Sequence, residues 1–135
     1  MGTWGIESFE NDDAMDWVAE LQADGIRATG TAIQAVLDAA PEYLEAPTCM
    51  LGLAAAEVVA ALRGRPAKSL PPEVQSWVNV VAAKSGTHPG DELAQNARRA
   101  VELIVADSEL LELWTESGEL DQWQRSVADL RARLL

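Results

Sequence analysis

The sequence is poor in cysteine and histidine, which narrows the chemistry it can perform. Its 135 residues include one cysteine, Cys49, so no intrachain disulfide can form and a reducing compartment is expected. His88 is the one histidine, and neither residue lies in a recognisable nucleophile and base motif. The glycine-rich phosphate loop, the serine nucleophile elbow and the paired-cysteine zinc motif are all missing. We therefore assign no catalytic residue, no metal ligand and no cofactor, and favour a protein that is not an enzyme.

Long apolar runs and positive charge are also scarce. The longest uncharged run lies between Glu45 and Glu57, and it is far shorter than the roughly 20 residues of a membrane helix. The start of the chain lacks the basic and apolar regions of a secretory signal. Ten basic residues against 22 acidic ones leave a net charge of −12, which repels nucleic-acid backbones and anionic membrane surfaces. We expect a cytoplasmic protein that binds neither nucleic acid nor membrane.

What the sequence does contain is apolar residues at helical spacing. Two clear stripes at i, i+3, i+4 and i+7 are Ala14-Trp17-Val18-Leu21 and Val74-Trp77-Val78-Val81. No segment alternates convincingly with period two. We therefore predict one all-α domain over residues 1–135, a bundle of six or seven mostly antiparallel helices with an ordered, non-helical N-terminal segment.

Prolines, glycines and capping residues predict where the helices begin and end. The first helix is expected to be capped by Asn11, Asp12 or Asp13 and to end at Gly25. Residues 26–40 and 47–63 are predicted to form the next two helices, the second of them central because it is apolar nearly all round.

The second half of the chain is divided in the same way. A fourth helix is expected to open at Pro71-Pro72 and end at Ser85-Gly86, and the next to begin at Thr87 or His88 with Pro89 in its first position. Asp107-Ser108 predicts either a kink or the start of a new helix. Gly118 predicts a further break, after which the final helix begins.

Acids and aromatics are concentrated in the first seventeen residues. We interpret Trp4, Phe9 and Trp17 as a clasp that holds the N-terminus on the bundle. Asp12, Asp13 and Asp16 are interpreted as helix caps and partners of the helix dipole. Clustered carboxylates also suit Mg²⁺ or Ca²⁺, but the calcium-loop pattern is absent.

The tryptophans are unusually numerous: five accompany a single phenylalanine and a single tyrosine. Trp17, Trp77, Trp114 and Trp123 fit apolar stripes and are predicted to pack in the core. Trp4 lies outside any predicted helix, so it either plugs the core or is exposed as an anchor for a partner.

Glu57 lies inside the apolar central helix. A buried carboxylate must be paired, hydrogen-bonded or protonated, and carboxylates of this kind often mark functional sites. Helical geometry could equally turn Glu57 to solvent, or pair it with Arg63 or Arg99. Cys49, near the start of the same helix, is predicted to be a small core residue.

Several of these residues also carry a family resemblance. The opening Gly2-Thr3-Trp4-Gly5, with Phe9, Asn11-Asp12, Ala14 and Asp16-Trp17, resembles the start of a family of small bacterial proteins known as domain of unknown function 4259. Later matching pieces are Tyr43-Leu44-Glu45-Ala46, the alanine-rich run around Glu57, Gly64-Arg65-Pro66, and Asp107-Ser108-Glu109-Leu110 with Trp114. Ile6-Glu7-Ser8 departs from the family pattern, which is nearer Gly-Gly-Pro or Gly-Pro. The resemblance covers essentially the whole chain and implies no known activity.

Two functions remain open at this point. We favour an acidic helical protein that binds a protein partner or associates with itself. The alternative is a small-molecule-dependent or divalent-metal-dependent activity in a cleft lined by the N-terminal acids and Glu57. The candidate binding residues are Trp4, Asp12, Asp13, Asp16 and Glu57. The arginine-rich and alanine-rich composition is typical of a bacterial protein from a GC-rich genome.

Overall fold

The chain forms seven helices within the described residues of a computed structural model, which are residues 5–40, 42–84 and 90–135. In chain order they are α1 (Asp12–Asp24), α2 (Ile26–Ala39), α3 (Ala46–Leu62), α4 (Pro72–Ala83), α5 (Asp91–Ala106), α6 (Glu109–Ser117) and α7 (Leu120–Arg133). These ranges contain no strand. The all-α prediction is therefore confirmed, and the predicted windows 26–40 and 47–63 agree with α2 and α3 to within one residue.

Helix α1 begins with a side-chain cap from Asn11. The Asn11 Oδ1 atom accepts a hydrogen bond from the Ala14 backbone N–H at 2.8 Å. Asp12 and Asp13 already have helical backbone and lie exposed in the first turn, so interpreting them and Asp16 as caps was wrong. Their carboxylates still complement the positive end of the helix. Gly25 ends α1 as predicted, with a φ of 65° that favours glycine.

Ser108 resolves the question of a kink or a new helix between α5 and α6. Its hydroxyl donates to the Ile104 carbonyl at 2.7 Å and accepts from the Leu111 N–H at 3.1 Å. One buried side chain thus satisfies a carbonyl at the end of α5 and an amide at the start of α6. Two separate helices result.

The connection between α4 and α5 differs from its prediction. Helix α4 ends at Ala83, because Lys84 already has extended backbone, and α5 begins at Asp91 after an extended Gly90. The start predicted at Thr87 or His88 is therefore too early. Residues 85–89, which include the predicted cap and Pro89, lie outside the described part of the chain, as does Trp4.

Helix α3 is the centre of the bundle, as predicted. It packs against all six other helices, and 14 of its 17 residues are buried. One hydrophobic cluster contains residues from all seven helices together with Phe9 and Leu44. None of the described helices is both long enough and apolar enough to cross a membrane.

The four tryptophans that were predicted to pack in the core are buried to different extents. Trp17 and Trp123 are buried, and Trp77 and Trp114 are partly buried against the core cluster. Core packing is therefore confirmed for all four, with two of them at its edge.

A close approach of α2, α3 and α5 depends on Gly52. A Cβ atom at this position would lie 2.6 Å from Val36 Cγ2 and 3.4 Å from Ile104 Cδ1. The first distance is far below van der Waals contact, and valine is stiff about χ1 and cannot turn away easily. Glycine at position 52 therefore sets how closely the three helices pack.

We predict opposite effects for alanine at two helical glycines. Gly52→Ala should lower the free energy of unfolding by about 1–3 kcal/mol, because overpacking outweighs the gain in helix propensity. Gly30→Ala in α2 has no atom within 4 Å of the new Cβ, so it should raise that free energy by about 0.5–1 kcal/mol. Urea unfolding of both variants checks this. Equal stabilisation by the two alanines would show that Val36 and Ile104 do not restrict position 52.

Candidate functional site

Glu57 forms a buried ion pair with a residue from the other end of the chain. Its side chain is 2% exposed, and its Oε1 atom lies 2.9 Å from Nη1 of Arg133. The partners considered from the sequence were wrong: Arg63 lies near Asp91 instead, at 3.5 Å, and Arg99 is exposed on α5. Arg63 follows Glu57 by six positions, which places it roughly two thirds of a turn away around the helix. The alternative that turned Glu57 to solvent was wrong as well.

The second carboxylate oxygen of Glu57 is also engaged. Ser8 donates a hydrogen bond from its Oγ atom to Oε2 at 2.8 Å. Ser8 belongs to the N-terminal segment (residues 5–10), which runs without helix up to the cap of α1. Glu57 therefore connects the central helix both to the start of the chain and to its last helix.

Arg133 contacts three different elements. Besides Glu57 on α3, it donates from Nε to Asp129 Oδ2 at 2.8 Å within α7, and from Nη1 to the Arg65 carbonyl at 3.1 Å. The Arg65 carbonyl lies just beyond the end of α3. A planar guanidinium with five N–H donors suits this arrangement better than a lysine would.

Burial and pairing shift the pKa values of Glu57 and Arg133 in opposite directions. Burial raises the pKa of the Glu57 carboxyl, while the hydrogen bond and charge of Arg133 and the hydrogen bond from Ser8 partly offset that rise. Burial alone would lower the pKa of Arg133, but Glu57 and Asp129 outweigh it and raise that pKa. Arg133 therefore stays cationic, as a buried carboxylate requires.

The N-terminal segment is held by side chains and by a turn of its own. Within the segment, the Glu10 N–H donates to the Glu7 carbonyl at 3.0 Å. Outward, Ser126 of α7 donates to Glu7 Oε2 at 3.0 Å, and Phe9 is buried in the core cluster. An ordered, non-helical N-terminal segment is thus confirmed for residues 5–10.

Two open grooves border the segment and α7. One, of about 390 Å³, is lined by Glu7, Pro66, Ala67, Lys68, Ser69, Asp129 and Arg133. The other, of about 380 Å³, is lined by Ile6, Glu7, Gln122, Arg125, Ser126 and Asp129. Glu7 and Asp129 line both grooves, and each already accepts a hydrogen bond, from Ser126 and Arg133 respectively.

The candidate binding residues do not form one cleft. Asp12, Asp13 and Asp16 are exposed on α1, whereas Glu57 is buried beneath Ser8. The described residues contain no group of three or more histidine, cysteine or acidic side chains that could hold a metal ion. Trp4 lies outside the described ranges.

Sequence reasoning missed Ser8 and Arg133. The sequence signal for Arg133 is its spacing of four residues from Asp129, which indicates a helical ion pair and does not point to α3. Ser8 carries no signal of its own in the sequence. Both residues become significant only because the fold places them on the two oxygens of Glu57.

A second joint links the start of α3 to the start of α6. The Glu109 N–H donates to the Leu44 carbonyl at 2.8 Å, and the Glu109 carboxylate accepts from the Ala46 N–H at 2.7 Å. The Tyr43 hydroxyl donates to Glu112 nearby. The family-like segments around Leu44 and Glu109 are therefore in direct contact.

Cys49 belongs to the core beside this second joint. It is fully buried, and burial raises the pKa of its thiol to about 11. The thiol is therefore protonated near neutral pH, which disfavours attack as a thiolate. Its interpretation as a small core residue is confirmed.

Over the described residues these features define an all-α bundle of seven helices, whose central helix carries a buried carboxylate paired with an arginine of α7. Residues 2–126 match the family model described as Domain of unknown function (DUF4259). The chain belongs to this family, as the residue pattern had indicated. No curated protein and no solved structure matches the chain.

We predict that removing one member of the buried pair costs far more than removing both. Arg133→Met leaves the Glu57 carboxylate buried without its cation and should lower the free energy of unfolding by about 3 kcal/mol or more. Combining it with Glu57→Leu should recover most of that loss, because no charge then remains buried. Chemical denaturation of the two single variants and the double variant gives the coupling energy.

The chain offers a matched control two residues away. Arg131 pairs with Glu102 at 2.7 Å, but both side chains are about half exposed, so Arg131→Met should cost less than about 1 kcal/mol. If Arg131→Met and Arg133→Met were equally destabilising, burial of the Glu57 pair would not be what matters.

Proposed function

We propose that the protein is a non-enzymatic interaction protein that binds a basic protein partner through the outer face of α1. The observation that carries the proposal is a rigidly presented row of carboxylates. Asp12, Asp13, Asp16 and Glu20 are exposed on α1, which carries no basic residue. A basic surface is the complementary partner, because opposite charge speeds encounter and selects among partners.

The buried side of α1 supports this proposal. Ala14, Trp17, Val18 and Leu21 are fixed in the core on the opposite face of the helix. The carboxylates are therefore presented by a helix that is already ordered, so binding does not have to order it. Self-association through the same face would bring like charges together, in a protein with a net charge of −12.

We place this interaction in the bacterial cytoplasm. Support comes from the single cysteine and from the arginine-rich and alanine-rich composition. A basic partner in the same compartment would meet this acidic protein at a rate that rises as ionic strength falls.

We predict that reversing charge on α1 abolishes binding. Asp16→Lys/Glu20→Lys leaves the first-turn carboxylates in place, so the helix start is not weakened. A basic protein captured by the wild type from the native cell should be identified, purified and titrated against both forms. Its affinity should fall at least about ten-fold with the double variant, and should fall for the wild type as salt is raised.

The control for this experiment reverses two acids elsewhere. Glu116 and Glu119 are exposed near the end of α6, and Glu116→Lys/Glu119→Lys changes the net charge by the same amount. Retained binding by this control is expected. An equal loss in both double variants would show that overall charge, and not the α1 face, governs binding, and capture of a second copy would favour self-association.

A second candidate function is favoured by the groove of about 390 Å³ between the N-terminal segment, residues 66–69 and α7. Lys68 and Ser69 line it together with Glu7 and Asp129, so cationic and anionic groups occur in one groove. This combination suits a small molecule that carries both an ammonium and a carboxylate group. A divalent cation held by the two carboxylates is the other form of this proposal.

We predict a concentration-dependent rise in melting temperature if this groove binds such a ligand. Amino acids are suitable zwitterionic probes, and Mg²⁺ and Ca²⁺ test the cation form. Lys68→Ala should abolish the shift with a zwitterion, and Glu7→Gln the shift with a cation. Lys84→Ala removes the other lysine, exposed at the end of α4, and should leave both shifts unchanged. The absence of any shift at millimolar ligand would remove this candidate.

A further inference from the structure

We propose that the junction of α3, α6 and α7 is a peptide-binding groove that the protein fills with its own N-terminal segment, and that the equivalent segment of a second copy can enter it. The proposal is independent of the basic partner on α1. It rests on the fit of the segment, on how the segment is attached, and on what the groove retains when the segment leaves.

The segment fits the groove closely. The helical side is formed by Met50, Leu53, Leu110, Trp114 and Trp123, and the other side by Gly5, Ile6, Glu7, Ser8 and Asn11. A cavity of only about 20 Å³ remains between the two sides, close to the size of one water molecule. Methionine and tryptophan are adaptable and amphipathic binding residues, and both are common at surfaces that accept peptides.

The segment is attached to the bundle by side chains. Ser8 donates to Glu57, Ser126 donates to Glu7, and Phe9 is buried. Among the residues the structure describes, no backbone hydrogen bond joins residues 5–10 to any helix from α2 to α7. Release of the segment would therefore leave the hydrogen-bond ladders of those helices intact, which is the property of a unit that opens locally.

The segment meets α1 at Asn11. Asn11 has extended backbone, with φ −154° and ψ 156°, and caps the helix with its own side chain. Helix α1 is held independently by its buried face. Rotation before Asn11 would swing the segment away without moving α1.

The opened groove would keep the chemistry that recognises the segment. Glu57 would remain paired with Arg133 through Oε1, and its Oε2 atom would be free to accept a hydrogen bond. Beside it lies the apolar surface that includes Trp114 and Trp123. The matching ligand is a peptide that adopts the same turn and carries a hydroxyl donor followed by an aromatic residue, which is the order of Ser8 and Phe9.

The N-terminal segment of the same chain competes for the groove with the segment of any second copy. Because it is tethered, its effective concentration at the groove is on the order of millimolar or higher. Weakening the contacts of the chain's own segment should therefore open the groove to a segment from another molecule. The apparent affinity for that added segment scales with the fraction of protein in which the groove is open.

The test titrates a peptide of residues 5–11 into full-length protein. The peptide contains no tryptophan, so a change in tryptophan fluorescence reports on the protein, where Trp114 and Trp123 line the groove. Full-length Ser8→Ala/Phe9→Ala should bind the peptide at least about ten-fold more tightly than the wild type. A peptide with alanine at both of those positions should not bind.

Two outcomes would overturn the proposal. Equal affinity for the wild type and the double variant would show that the peptide binds elsewhere, and no binding to a folded double variant would show that the groove does not accept the segment in trans. If the double variant fails to fold, full-length Ser8→Ala, which keeps the packing of Phe9, replaces it. This single variant should still bind more tightly than the wild type, and equal or absent binding counts against the proposal.

Discussion

A carboxylate in the most buried helix is the constraint on which the rest of this structure depends. Glu57 lies on α3, which every other helix contacts, and an unpaired charge at that depth would be very costly. Two contacts offset this cost: an ion pair with Arg133 of α7, and a hydrogen bond from Ser8 of the N-terminal segment. One residue of the central helix therefore determines where both ends of the described chain are held.

This arrangement gives the ion pair a positional role. The hydrophobic effect is non-directional, whereas a carboxylate with two occupied oxygens accepts few geometries. Arg133 adds the Arg65 carbonyl and Asp129 to the same group of contacts. The N-terminal segment, the end of α3 and the end of α7 thus meet at one place, next to the two grooves that Glu7 and Asp129 line.

The segments that carry the family resemblance take part in both polar joints of this fold, and two of them meet directly at one joint. The alanine-rich run around Glu57 contacts the N-terminal segment through Ser8, which lies in the stretch that departs from the family pattern. The segments around Leu44 and Glu109 meet where the N-terminus of α3 contacts that of α6. In both cases polar contacts are satisfied between elements that lie far apart in sequence, so these residues are first of all requirements of the fold.

The sequence by itself determined where most of the helices lie, with the connection between α4 and α5 as the exception, because caps, breaks and apolar periodicity are local. Gly25, Gly118 and the stripe through Trp17 mark their helices without knowledge of any neighbour. Only the tertiary structure decided that Glu57 pairs with Arg133, 76 positions away, since that depends on the rotation of α3 against α7. Gly52 shows the same division: its place in a helix is local, but its closeness to Val36 and Ile104 arises from packing.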